Sequence, residues 1–147
     1  MTDEDLVQAF ERGEEPDGGF HHADHVRVAW YYLQAHALPE ALLRFTRALH
    51  AFAARGRPNL YHETVTVAFM LVIAERAGEG DAPATWDAFA AGNADLLAWK
   101  PSVLDRYYRS ETLWSDRARR RFVMPDRLAL QAGSRERLSR SDGSEQG

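Results

Sequence analysis

Apolar residues recur every three or four positions along most of the chain, which is the spacing of one face of an α-helix. Residues 3–12, 23–37 and 39–56 each show this pattern, with polar residues between the apolar positions. Pro39 suits the first turn of a helix, where its missing N–H has no partner to lose, and Gly56 is a natural stop. The pattern therefore predicts three helices before residue 57, each with one buried face.

A fourth segment, residues 65–74, is apolar on nearly every side. A helix of this kind is expected in the centre of a protein, because no side of it favours water. A β-strand is the competing interpretation, since several of these residues are β-branched, but the length of the segment and its helical neighbours favour a helix. Asn59 can cap this helix at its N-terminus.

The second half of the chain predicts shorter helices. Residues 86–93 indicate one helix, and another can begin at Asn93 and continue until Pro101 breaks it. Ser102 is a suitable cap for a third. A last helical piece is expected over residues 112–122.

These elements predict an all-α fold, a compact bundle of four longer helices with several short ones. The 147 residues match one domain of common size, and the 45% of hydrophobic residues is enough to form a core. We expect one helical domain over residues 1–130. Residues 131–147 lack apolar periodicity and are rich in Gly, Ser, Arg and Glu, so they are expected to form a flexible, disordered tail.

The composition excludes several classes of function. The chain has no cysteine, so disulfides, thiolate metal sites and thiol nucleophiles are ruled out, and any metal must be held by nitrogen and oxygen ligands. The net charge of −4 argues against general nucleic-acid binding. Residues 1–5 are acidic and lack the basic and apolar regions of a signal peptide, so we expect no secretion by that route. The longest apolar run, residues 67–74, is far below the roughly 20 residues of a membrane span. We therefore expect a cytoplasmic protein that contacts neither membrane nor nucleic acid.

Three histidines and an aspartate lie close together within residues 21–25, at the start of the second predicted helix. His22 and His25 are three positions apart, so both can point to the same side. Two neutral imidazoles one turn apart can bind one metal ion, with zinc and iron the leading choices. The alternatives are capping of the helix and ordinary hydrogen bonds in the core. Tyr32 continues this face and can offer its hydroxyl to a substrate.

A second polar element, the run Tyr-His-Glu-Thr at residues 61–64, opens the most apolar helix. An ionisable group there is costly to bury unless it is paired, hydrogen-bonded or bound to metal. Thr66 shares the face of His62 and can contact a substrate. In the simpler interpretation, Glu63 only interacts with the helix dipole, and His62 is a hydrogen-bonded residue at the boundary between the core and solvent.

If the starts of these two helices lie side by side, they form one site. His22, His25 and His62 then supply three nitrogen ligands to a zinc or iron ion. Asp24 or Glu63 is the expected general base or additional ligand.

The motifs F-x-H-x-x-H and Y-H-x-T, with an Ala-Trp pair between them, are formed by Phe20, His22, His25, Ala29, Trp30, Tyr61, His62 and Thr64. With these motifs the sequence resembles a family of small bacterial all-helical proteins to which no activity is assigned. Further positions of the resemblance lie towards the C-terminal end, at Ser115, Ala118, Arg119, Phe122, Pro125 and Asp126. The resemblance covers most of residues 20–130 and implies a shared helical fold and shared polar positions, with His22 rather than His21 turned inward.

Three functional hypotheses follow from these residues. The first is a small metal-dependent enzyme of unspecified reaction, with zinc or iron at the histidine site and a small-molecule substrate that contacts Tyr32, Thr66 and Arg106. The second is a metal-free module that binds a small molecule or a protein through its aromatic residues, with a homodimer as one form. The third is an enzyme without metal that uses His62 and Glu63 as acid and base.

Overall fold

The computed structural model describes residues 1–56, 61–78 and 85–127, and within these residues every regular element is a helix. The longer helices are α1 (Asp3–Arg12), α2 (His22–Ala35), α3 (Leu38–Ala54) and α4 (Glu63–Ala77). The shorter elements are α5 (Trp86–Gly92), α6 (Ala94–Leu97), a 3-10 helix (Val103–Arg106), α7 (Ser110–Leu113) and α8 (Asp116–Arg120). The predicted all-α bundle of four longer helices with short ones is confirmed.

Helices α2 and α4 form the centre of the fold. Helix α2 packs against α1, α3, α4 and α6, and α4 also contacts α3, α8 and the 3-10 helix. Along α4, Thr64 and Met70 are fully buried and Ile73 is 1% exposed. The prediction of a central helix over residues 65–74 is confirmed, and the β-strand alternative is wrong.

Each of the two central helices begins with a histidine in the capping position. His21 precedes α2, and its backbone N–H donates to Oδ2 of Asp24 at 2.9 Å. His62 precedes α4, and its Nδ1 accepts the N–H of Val65 at 3.1 Å. A side-chain acceptor at this position satisfies a backbone donor that the helix itself leaves without a partner. The cap of α4 is therefore His62, while Asn59, the predicted cap, lies outside the described residues.

The helices near the C-terminal end of the described chain are shorter than the sequence pattern predicts. The single helix expected over residues 112–122 is wrong, because α7 and α8 are separate helices. Oγ of Ser115 accepts the N–H of Ala118 at 3.1 Å and so starts a new helix. Helix α8 packs against α4, and α7 contacts α8.

Residues 121–127, named here the C-terminal strap, are fixed to α4 by hydrogen bonds. Oγ1 of Thr64 donates to the carbonyl of Arg121 at 2.8 Å and accepts the N–H of Val123 at 3.1 Å. The hydroxyl of Tyr108 donates to the Val123 carbonyl at 2.7 Å. One buried threonine thus joins the central helix to the strap.

Most of the buried apolar residues of the described part form one continuous cluster. None of the helices in that part is both long and apolar enough to span a lipid bilayer. The predicted tail, residues 131–147, and the predicted domain end at residue 130 lie outside the described residues.

Candidate functional site

A cavity of about 540 Å³ lies between α2, α3, α4 and the residues that follow α6 and α7. Its wall is mainly aliphatic and aromatic, with imidazoles, one threonine and one guanidinium as the polar groups. The wall consists of Phe20, His21, His22, His25, Val26, Ala29, Phe45, Leu49, His62, Val65, Thr66, Phe69, Met70, Ile73, Trp99, Trp114 and Arg119. All three histidines predicted as metal ligands belong to it, and no Asp or Glu among the described residues does.

Four rings form a chain along one side of this cavity. The ring centroids of His22 and Trp99 are 5.2 Å apart, and those of His62 and Trp114 are 5.4 Å apart. The two tryptophans meet each other edge to face, with their centroids 6.2 Å apart. Trp99 is 44% exposed and Trp114 is 46% exposed, so this chain of rings, the aromatic rim, connects the cavity wall to solvent.

Two backbone carbonyls hold His22 and His62 in the wall. Nε2 of His22 lies 2.8 Å from the carbonyl oxygen of Leu96 in α6, and Nε2 of His62 lies 2.8 Å from that of Leu113 in α7. Since a carbonyl only accepts, Nε2 bears the hydrogen in both rings. The last carbonyls of a helix have no hydrogen-bond partner within the helix, so each histidine supplies a donor for one of these carbonyls in a short helix. Each therefore also fixes the tryptophan that follows that helix.

His62 has a hydrogen-bond partner for each of its ring nitrogens. Nδ1 accepts the N–H of Val65, and Nε2 donates to the Leu113 carbonyl. The hydroxyl of Thr66 donates to the His62 backbone carbonyl at 2.7 Å. Burial lowers the pKa of His62, and the nearby positive charge of Arg119 acts in the same direction. His62 is therefore neutral at pH 7, with its lone pair and its N–H both in use.

His25 differs from His62, because its Nδ1 is buried and has no hydrogen-bond partner among the described residues. Its ring lies among three phenylalanines, with centroid distances of 5.7 Å to Phe10, 5.5 Å to Phe20 and 6.1 Å to Phe52. Burial in this apolar surrounding lowers the pKa of His25 to about 4, and repulsion from His22 adds to the effect. The imidazole is neutral at pH 7 and has an unsatisfied nitrogen.

The two carboxylates predicted as a general base, Asp24 and Glu63, lie outside the cavity wall. Asp24 accepts the backbone N–H of His21 and thus stabilises the start of α2. Glu63 is the first residue of α4, where a negative charge is favoured by the helix dipole. Both positions have a structural explanation that needs no catalysis.

Of the three residues predicted to contact a substrate, the structure places only Thr66 in the cavity wall. The hydroxyl of Tyr32 donates to Oε1 of Glu11 at 2.5 Å, on the side of α2 that faces α1. Arg106 lines a separate cavity of about 480 Å³. Its guanidinium is 3.3 Å from Oδ2 of Asp95 and largely exposed.

The arrangement of the histidines limits how a metal ion could bind. Across residues 1–56, 61–78 and 85–127, no group of three or more His, Asp or Glu side chains is placed to hold one. His22 and His25 line the same cavity as His62, but His62 has no lone pair left to donate. A metal at the predicted three-nitrogen site would therefore have to displace a backbone hydrogen bond of His62.

Arg119 is a wall residue that the sequence indicated only as a position of the family resemblance, not as part of the site. It lies in α8, within a stretch rich in arginine, and no spacing distinguishes it from its neighbours. Trp99 and Trp114 were expected, with the other aromatic residues, to form part of a pocket or of a dimer surface. All three depend on short helices whose positions are determined by contacts with α2 and α4, which are distant in sequence.

No family model, no curated protein and no solved structure matches the chain. The contacts of the two sequence motifs nevertheless explain their pattern. Phe20 stacks on His25 and contacts Phe52, while Thr64 fixes the C-terminal strap to α4. Both motifs thus hold the helices that form the cavity.

Proposed function

We propose that this chain is a metal-free binding domain that encloses an apolar, aromatic small molecule in the cavity behind the aromatic rim. The observation that supports this function is the cavity itself, with an apolar wall and a few fixed polar groups. Its volume of about 540 Å³ lies within the range of small-molecule sites, which are mostly apolar and contain a few polar groups that orient the ligand.

The aromatic rim supports the same proposal. Trp99 and Trp114 keep nearly half of their surface in solvent, although they adjoin an apolar cavity. Large exposed apolar surface at a concave site is typical of a binding surface, because a bound molecule would remove it from water. The hydrogen bonds of His22 and His62 hold the rings in place before any ligand arrives.

A neutral fluorophore, 1-aminoanthracene, tests the proposal by titration of the folded protein. Leu49 lies in the cavity wall on α3, and Leu49→Trp places a large ring in the space a ligand would use. Leu42 lies two turns earlier on α3, is also partly buried and is not in the wall, so Leu42→Trp is the matched control.

We expect one dye per chain for the wild type and for Leu42→Trp, and an affinity about tenfold or more weaker for Leu49→Trp. Circular dichroism shows whether both variants are folded. Absence of saturable binding, or equal binding by all three proteins, would contradict the proposed function.

A metal-dependent enzyme with zinc or iron at His22, His25 and His62 is the second candidate. It is favoured by one observation, that all three histidines line one cavity. For metal binding, His62 would have to give up one of its backbone hydrogen bonds. For catalysis, Asp24 or Glu63 would have to reach into the cavity, and neither of them lines it.

Elemental analysis of tag-free protein by plasma mass spectrometry separates the two candidates. Close to one zinc or iron per chain, lost in His22→Ala, would support the enzyme. A protein that takes up no metal even after reconstitution, and still binds the dye, would support the metal-free binding domain.

A further inference from the structure

Two imidazoles near the start of α2 have hydrogen-bonding groups that the fold leaves unused, and His22 is the first. Its Nε2 donates to the Leu96 carbonyl, so Nδ1 of the neutral ring has a lone pair and no hydrogen. Burial lowers the pKa of His22, which keeps the ring neutral at pH 7. Among the residues that the structure describes, no group donates to this Nδ1, and the atom is not sealed from solvent. His22 therefore offers the cavity a free acceptor.

His25 offers the complementary group. Its Nδ1 is fully buried and has no partner across residues 1–56, 61–78 and 85–127. An N–H buried without an acceptor is rarer in proteins than an acceptor without a donor, which places the lone pair on Nδ1 and the hydrogen on Nε2. Nε2 has no partner in the same ranges, but unlike Nδ1 it is not sealed from solvent. Because His25 lines the cavity, its N–H is available as a donor there.

The polar groups of α4 and its cap differ, because the protein already uses them. Each ring nitrogen of His62 has a backbone partner, and the hydroxyl of Thr66 donates to the His62 carbonyl. A ligand would therefore form its hydrogen bonds on the α2 side. There, His22 and His25 are three positions apart on one helix, and their rings line the same cavity. A lone pair and an N–H on one side of a helix fit a group that both donates and accepts.

A phenol has such a group on an aromatic ring. Its hydroxyl donates one hydrogen bond and accepts others, and it is neutral at pH 7, as the two imidazoles are. Phe45, Phe69 and Trp99 line the cavity, and ring pairs gain from offset or edge-to-face contacts beyond the area they bury. The polar and the apolar parts of the wall therefore match the same molecule.

We infer that the cavity selects a phenol, whose hydroxyl donates to Nδ1 of His22 and accepts from Nε2 of His25 while its ring lies among the aromatic side chains. The inference rests on the proposed function and adds the chemical class of the ligand. It also explains why an imidazole is present at position 25 among phenylalanines, where its unsatisfied nitrogen costs stability.

Three probes with the same ring system test this choice: 2-naphthol, 2-methoxynaphthalene and 2-methylnaphthalene. The hydroxyl donates and accepts, the ether only accepts, and the methyl group does neither. Each probe displaces 1-aminoanthracene from the full chain, which gives its dissociation constant. We expect 2-naphthol to bind about tenfold more tightly than 2-methylnaphthalene, and the ether to bind more weakly than 2-naphthol. A wall without free polar groups would favour 2-methylnaphthalene instead, because taking a hydroxyl out of water without a partner costs free energy.

His25→Phe shows whether the imidazole of His25 is responsible. It keeps a flat ring and removes the N–H, so the preference for 2-naphthol over 2-methylnaphthalene should fall to about twofold or less. The affinity for 2-methylnaphthalene should change little. His36→Phe is the matched control, since His36 lies at the other end of α2 and outside the wall, and it should keep the full preference. Circular dichroism determines whether both variants are folded.

Nitrogen-15 spectra of histidine-labelled protein test the role of His22 without a substitution. The unprotonated Nδ1 of His22 should shift upfield when it accepts the hydroxyl of 2-naphthol, and it should shift much less with 2-methylnaphthalene. An unchanged Nδ1 resonance at saturating 2-naphthol would show that His22 does not accept this hydrogen bond.

The outcomes separate this inference from the proposed function. If the dye binds but 2-methylnaphthalene binds as tightly as 2-naphthol, or if His25→Phe keeps the full preference, the phenol is wrong and the binding domain stands. If neither the dye nor any of the three probes binds, the proposed function fails and this inference fails with it.

Discussion

His62 and His25 belong to the wall of the same cavity, but their surroundings are opposite. His62 has a backbone partner for each ring nitrogen, while the buried Nδ1 of His25 has none among the described residues. Hydrogen bonds of a buried polar group stabilise a fold, and an unsatisfied one destabilises it. The comparison indicates that His62 stabilises the fold through its hydrogen bonds, whereas the fold does not require a polar side chain at His25.

The largest expected effect is the loss of His62. His62→Leu leaves the Leu113 carbonyl and the Val65 N–H without their partners and removes the cap of α4. We expect the free energy of unfolding to fall by about 3 kcal/mol, measured by urea denaturation. Gln34→Leu, at an exposed position of α2 outside the wall, is the control and should change it little. A loss below about 1 kcal/mol for His62→Leu would show that these hydrogen bonds do not stabilise the fold.

The second effect tests the same helix start at Thr64. Thr64→Val keeps the shape of the side chain but removes both hydrogen bonds to the C-terminal strap. We expect a loss of about 2 kcal/mol in the same denaturation experiment, because the hydroxyl is fully buried and its partners lie on the strap. An unchanged stability would mean that the strap is held by other contacts.

The third effect has the opposite sign. His25→Phe keeps a flat ring among Phe10, Phe20 and Phe52 and removes the unsatisfied nitrogen. We expect the free energy of unfolding to rise by about 1 kcal/mol. A clear loss of stability would indicate that the imidazole of His25 does have a partner, and the contrast with His62 would then be wrong.

The fourth effect is a dependence on pH. Burial holds the pKa of His25 at about 4 in the folded chain, below its ordinary value of 6.5. As the pH falls, the unfolded chain therefore binds a proton at this histidine before the folded chain does. The free energy of unfolding should keep its full value above pH 6.5 and decrease as the pH falls towards about 4. Urea denaturation at about pH 7 and about pH 4.5 should show a steeper loss for the wild type than for His25→Phe. Equal slopes would contradict the assignment.

The sequence predicted the helices with strong periodicity and failed where short helices depend on distant partners. Helix α4 was predicted as the central element because its apolar residues leave no face for water. Thr66 was also predicted to share the face of His62, and both residues line the cavity. The break between α7 and α8 was not, because Ser115 forms a local cap that a helical pattern does not show.

The candidate site was also predicted only in part, because some of its contacts join residues that are distant in sequence. The spacing of His22 and His25 placed them on one wall, since positions three apart on a helix lie close together. The partners of His22 and His62 are carbonyls of Leu96 and Leu113, which are 74 and 51 positions away in the chain. No local pattern indicates such a contact, so the sequence could not distinguish a metal ligand from a histidine that ends a short helix.

Nuclear magnetic resonance of methyl-labelled protein with 2-naphthamide tests the central claim, that the cavity binds an aromatic molecule, most directly. Saturable shifts are expected for the methyl groups of Val65, Met70 and Ile73, which line the cavity, and not for Leu104, which is buried elsewhere. Shifts confined to the exposed Leu43, or no saturable shift at all, would contradict the claim.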